Sequence, residues 1–215
     1  MRRLHRGEPV PTGLIPIGGL LGIGFALAPD DGRDLVMVVS VNGHGLFDTV
    51  TGEKIARDRD PDPDPDPDPD PDPDPDPDPD GSIPDAVPDL SCPGLGPIAS
   101  ARVRIAGLFG GGLHTTTEDG WTLEVVSPEW PHDRVLLSAD GGIPHNGPHG
   151  ENWWHIFDSN YSELRAAGFS PSGHTLAVAT SSDETLWSHQ APDIKRSAGQ
   201  FGRSPADWGA QSQLV

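Results

Sequence analysis

Phe25-Ala-Leu-Ala-Pro-Asp-Asp-Gly-Arg-Asp-Leu-Val-Met-Val-Val-Ser40, followed by Leu46-Phe47-Asp48, is repeated in altered form as Phe169-Ser-Pro-Ser-Gly-His-Thr-Leu-Ala-Val-Ala-Thr180, followed by Leu186-Trp187. Both passages read as strand, Pro/Gly turn, strand, polar turn and aromatic strand. Around the first copy the runs Ile23 to Leu27, Leu35 to Ser40, Gly45 to Phe47 and Glu53 to Arg57 predict four strands. Pro29-Asp-Asp-Gly32, Asn42-Gly43 and Thr51-Gly52 separate them, and Asn and Gly tolerate the positive φ of hairpin turns. Phe157-Asp158 stands before Glu163 at the spacing that separates Phe47-Asp48 from Glu53, a shared register that argues for an internal repeat.

These residues resemble the WD40 family of β-propeller repeats, with its Phe-Ser-Pro-Asp-Gly turn and closing Leu-Trp-Asp. The resemblance implies an all-β fold, a small or partial WD40-like β-propeller of about four blade-like units with a disordered Pro-Asp insertion. It also implies that Phe47, Phe157 and Trp187 pack between blades and that Asp48, Asp158 and Asp183 serve turns. Propellers host many functions, so the likeness speaks to architecture.

The expected organisation is an N-terminal segment, residues 1–13, that could supply a closing strand, and a first blade over 14–58. An acidic linker over 59–98, about three further blades over 99–190 and a flexible tail over 191–215 follow. Strand signals resume at Arg102 to Phe109, Leu113 to Thr117 and Trp121 to Val126, with Trp121 read as core, and then at Arg134 to Ser138 and Trp154 to Asp158. Glu8 to Pro16 is the stretch suited to complete the last unit, whose own strands stop at Trp187.

The formal charge of −19 is dominated by one tract: Asp60 to Asp80 alternates Pro and Asp and holds eleven aspartates, leaving about −8 elsewhere. Proline at every second position removes backbone donors and excludes helix or central strand, so polyproline II is expected there. Aspartates two residues apart on that helix point in different directions and cannot converge on one ion. With 14 Lys and Arg and no basic run, the chain is expected to bind neither nucleic acid nor membrane. Cys92 is the single cysteine, which excludes an intramolecular disulfide.

Arg2, Arg3 and Arg6 precede an apolar run from Leu14 to Ala28, the outline of a signal peptide. Glu8, Pro16 and several glycines interrupt that outline, and the same residues match the first strand of the repeat. Cytoplasmic location is the expectation, with an exported or envelope-associated protein as the alternative.

The densest chemistry lies in Pro144-His145-Asn-Gly-Pro-His149-Gly-Glu151-Asn-Trp153-Trp154-His155. His145, His149, Glu151 and His155 are candidate metal ligands, although Pro148 and the glycines rule out the helix of an HExxH site. The loop also reads as an ordinary surface loop with exposed imidazoles. His44 and His174 are expected at solvated turns. The reading adopted is a non-catalytic protein-interaction scaffold without cofactor, contacting a protein partner through Trp130, Trp153, His145 and His149, with self-association to complete a propeller as an option. A metal-assisted hydrolase or lyase at the histidine loop is the alternative from another class.

Overall fold

The computed structural model describes residues 13–58, 90–139, 141 and 147–188. The expected closing segment up to residue 12, the Pro-Asp tract, His145 and the tail from 191 lie outside the described residues.

Among the described residues fourteen strands form four antiparallel sheets. In chain order they are β1 (Gly13–Pro16), β2 (Leu20–Leu27), β3 (Asp34–Ser40), β4 (Gly43–Asp48), β5 (Lys54–Asp58), β6 (Ser91–Pro93) and β7 (Arg102–Arg104). Then come β8 (Ala106–Gly107), β9 (Thr122–Glu129), β10 (His132–Ser138), β11 (Trp153–Asp158), β12 (Leu164–Phe169), β13 (Thr175–Thr180) and β14 (Asp183–Ser188). One sheet runs β5-β4-β3-β2-β8, a second pairs β6 with β7, a third runs β11-β10-β9 and the last β1-β14-β13-β12.

Three apolar seams set these sheets in a row. Leu35, Met37, Val39 and Leu46 of the five-stranded sheet meet Cys92, Ile98, Val103 and Ile105 of the β6–β7 region. On the opposite face Ile23, Val36, Val38 and Phe47 meet Ile15, Ala177, Ala179 and Leu186 of the four-stranded sheet. That sheet turns Phe169, Leu176, Val178 and Trp187 towards Leu123, Val135, Leu137 and Trp154 of the three-stranded sheet. The two inner sheets are therefore covered on both faces. Their central strands β3 and β13 are buried at every residue, which is why Leu35-Val-Met-Val-Val39 reads as one apolar run rather than alternating. In the terminal three-stranded sheet the edge strand β9 is largely exposed.

This arrangement corrects the expectation of a WD40-like β-propeller, small or partial. Blades would repeat four strands in chain order around a ring, whereas the sheets here hold five, two, three and four strands, and none is closed into a barrel or propeller. The fifth strand of the first sheet is the cause of one departure. Ala106 and Gly107 pair beside β2 at Ile23 and Gly22, so chain beyond the acidic tract returns to the first sheet. Glycine makes the approach: an added Cβ at Gly24 would stand 2.1 Å from the Arg104 carbonyl oxygen and 2.8 Å from Val103 Cγ1. Residues 113–117, expected as a strand, form only isolated bridges, His114 to Phe169 and Thr116 to Thr122.

The apolar run from Leu14 to Ala28 is occupied by β1 and β2, with Ile15, Leu20, Ile23 and Ala28 buried in the core. The run thus supplies strands of the core, as its match to the first strand of the repeat led one to expect. Residues 90–98, expected in the linker, form β6 and a short 3-10 turn at Gly96–Ile98 that bury Cys92 and Ile98. Ala56 of β5 packs in the same cluster as Cys92, Leu95 and Ile98, so the chain leaves for the tract and returns from it at one side of the molecule.

Candidate functional site

The row of sheets ends at the outer face of β9-β10-β11, and there the sequence-singled histidine loop is found. Alternation along β11 sends Trp154 into the core and leaves Trp153 and His155 on the other face. Register places Ser138 and Thr122 beside Trp153, and Leu136 and Glu124 beside His155. Leu136 and Ser138 are nonetheless buried.

The loop from Gly147 to Asn152 folds back on β11. Gly150 N–H donates to the Trp153 carbonyl at 2.8 Å, and His149 forms a parallel bridge with Trp153. Positive φ at Gly147 (88°) and Gly150 (82°) permits the double reversal. The indole Nε1 of Trp153 donates to the Gly147 carbonyl at 3.0 Å. The His149 ring meets the indole edge-on with centroids 4.8 Å apart, and the His155 ring stands 6.4 Å away at 72°. Thus Trp153 is oriented by a hydrogen bond and flanked by two imidazoles, with the Thr122 and Ser138 hydroxyls in mutual contact alongside.

The other candidates are not part of this arrangement. Trp130 is 84% exposed at the turn of the β9–β10 hairpin, whereas Trp153 lies across from Ser138 at the far end of β10, roughly 20 Å away by strand rise. Glu151 is exposed in the loop. Among the described residues no three of His, Cys, Asp and Glu are placed to hold a metal ion, and this corrects the metal-assisted hydrolase or lyase reading of His149, Glu151 and His155. The protein-interaction scaffold built on WD40-like blades falls with the ring on which it depended. His44, expected at a turn, is buried in β4 opposite Val39.

No protein-family model matches the chain. No curated protein and no solved structure matches it either.

Two buried carboxyls, neither singled out from the sequence, occupy the seam between the five- and four-stranded sheets. Asp34 Oδ2 accepts from Ser170 Oγ at 2.8 Å, Ser172 Oγ at 2.7 Å and Thr175 Oγ1 at 2.9 Å. Thr49 Oγ1 donates to the Asp34 carbonyl at 2.9 Å and lies 3.2 Å from Thr175 Oγ1. This is a cross-sheet clamp: three donors from the turn after β12 and the start of β13 converge on one oxygen at the start of β3.

Glu184 is the opposite case. It lies on β14 between Ile15 of β1 and Ala179 of β13, fully buried, and neither carboxyl oxygen has a hydrogen-bond partner among the described residues. Burial without compensation disfavours the charged form and raises its pKa to about 8, so the side chain is mainly protonated at neutral pH. Period-two alternation was the available signal: Glu184 is two residues before the core residue Leu186 and shares its face.

Proposed function

We propose that the chain binds a neutral, polyhydroxylated ligand, a sugar or short oligosaccharide, non-covalently on the outer face of β9-β10-β11. The observation that supports the reading is the fixed Trp153 side chain between the His149 and His155 imidazoles. An indole gives flat apolar area for the C–H-rich face of a pyranose. Neutral imidazole supplies one donor and one acceptor, the mixed capacity that sugar hydroxyls require. A formal charge of −19 works against long-range attraction of anionic ligands.

The test is calorimetric or fluorescence titration of the full chain with neutral glucose-, galactose-, mannose- and N-acetylglucosamine-based oligosaccharides. Saturable binding to one class is expected, weakened about tenfold or more by Trp153→Ala, equivalent to about 1.4 kcal/mol. His149→Ala and His155→Ala are expected to weaken it less, while Trp130→Ala leaves it unchanged. Absence of saturation across the panel, or undiminished binding by Trp153→Ala with an intact fold, refutes the proposal.

A further inference from the structure

The Glu184 site has no role in ligand binding on the distant outer sheet, and its geometry points to a different device. We infer that the proton on Glu184 holds the edge strand β1 in the four-stranded sheet, and that losing this proton releases β1.

An ionised carboxylate in that apolar seam must acquire water or a donor, and one of the surrounding strands has to move to admit it. The strands differ in how firmly they are held. Among the described residues β13, β2, β3 and β4 are each paired on both sides, whereas β1 is an edge strand of four residues paired to β14 alone. β1 also places Ile15 directly opposite Glu184. Displacing β1 breaks four residue pairings, together with the neighbouring Ile17 N–H to Ser182 carbonyl bond of 2.8 Å. Opening β13, β2, β3 or β4 would part a sheet in the middle, and the other edge strand of this sheet, β12, is six residues long, is paired to β13 at five positions and does not neighbour Glu184. Short edge elements are where local opening is least costly.

Among the described residues no competing charge within the seam takes over the role. β1, β2 and β13 carry no titratable side chain. On β12, Arg165 is engaged with the Leu20 carbonyl through Nε at 3.3 Å and with Glu163 through Nη1 at 3.0 Å. On β3, Asp34 faces the seam but is clamped at Thr175, about 13 Å along β13 from Ala179, the neighbour of Glu184. His44 and Asp48 of β4 alternate with Phe47 and so point to the opposite face of their sheet. Asp183 precedes Glu184 on the other face of β14 and accepts from Thr180 Oγ1 at 2.9 Å and Tyr161 Oη at 3.3 Å.

The raised pKa of about 8 supports this and sets the pH range. If the open state restores an ordinary carboxylate, the equilibrium for opening β1 grows by about tenfold per pH unit between 4.5 and about 8, then levels off.

Hydrogen exchange of the full chain, expressed as protection factors so that the intrinsic pH dependence is removed, tests the inference at residues 13–17. Between pH 6 and 8 wild-type protection there is expected to fall by about fiftyfold, the tenfold-per-unit trend beginning to level at the upper end, with β13 and β3 keeping theirs. E184Q and E184L, both uncharged throughout, are expected to abolish the pH dependence; the second tolerates the apolar seam should the amide prevent folding. Flat wild-type protection, equal pH sensitivity in either variant, or loss spread uniformly over all strands overturns the inference.

Discussion

Removing the Asp34 carboxylate is the sharpest test of how the two inner sheets are joined. Three hydroxyl donors at 2.7, 2.8 and 2.9 Å converge on Oδ2 of a side chain with no exposed surface. Hydrogen bonds to a charged group contribute roughly 1.5–3 kcal/mol each, but cooperating bonds to one oxygen do not add, and the acceptor's desolvation offsets part of the gain. Asp34→Ala also leaves Ser170 and Thr175 hydroxyls buried with an acceptor lost and opens a small void. The net loss expected is about 3–5 kcal/mol, comparable with breaking one partner of a buried charged network. For a chain of this size about 1 kcal/mol corresponds to about 2–4 °C, which places the fall in Tm at roughly 10 °C. Asp34→Asn keeps the shape and one acceptor while turning an amide towards hydroxyls, and should lose about half as much. Urea unfolding followed by near-ultraviolet circular dichroism, with Thr175→Val as partner in a double-mutant cycle, separates the clamp from simple truncation. A coupling energy near zero between Asp34→Asn and Thr175→Val, or a loss below about 1 kcal/mol for Asp34→Ala, refutes the reasoning.

Two further perturbations follow from the same seams. Because the native state holds the Glu184 proton more tightly than the unfolded chain, global stability should be greatest below pH 4.5 as far as this group is concerned, fall through the range up to about 8 and then level. E184L should flatten that component of the urea-midpoint profile. Gly24→Ala would set a methyl 2.1 Å from the Arg104 carbonyl oxygen and should lower stability by about 1–3 kcal/mol by thermal melt, whereas Gly112→Ala, with nothing within 4 Å, should stay within about 0.5 kcal/mol.

The individual strands were legible because their signals are local. Leu35 to Ser40 and Leu176 to Thr180 are rich in aliphatic residues, and Pro29 to Gly32 and Pro171 to Gly173 punctuate them. Asp48 was legible as a turn carboxylate as well: Oδ1 accepts from Val50 and Thr51 N–H at 2.8 and 2.9 Å, and Arg33 Nη1 donates to Oδ2 at 2.7 Å. The grouping was legible in part: β2 to β5 form one sheet as expected, and β1, the end of the Glu8 to Pro16 stretch, pairs with β14 to complete the last one, whereas the pairing of β8 beside β2 depends on a distant contact that carries little apolar signal. Ala106-Gly107 is two small residues, and its place beside β2 depends on Gly22 and Gly24 leaving room. A repeated motif then suggested a ring where the sheets form a row. At the site, alternation alone separated Trp153 from Trp154, while the contact of His149 with Trp153 required the loop reversal at Gly147 and Gly150. Asp34 and Glu184 were hidden for a common reason: each sits in a run of polar residues that reads as solvated turn until the opposing sheet is in place.

The shared anchorage of β5 and the 90–98 segment has an evolutionary corollary. Ala56, Leu95 and Ile98 bring the two stems together in one apolar cluster. Repetitive dipeptide codons are prone to gain and lose copies, and closing a loop twice as long costs only about 0.6 kcal/mol more in chain entropy. Each Pro-Asp unit gained or lost therefore changes the molecule's charge by one while leaving its folding equilibrium nearly untouched. Selection can tune this protein's electrostatics through copy number, a variable that its core does not register.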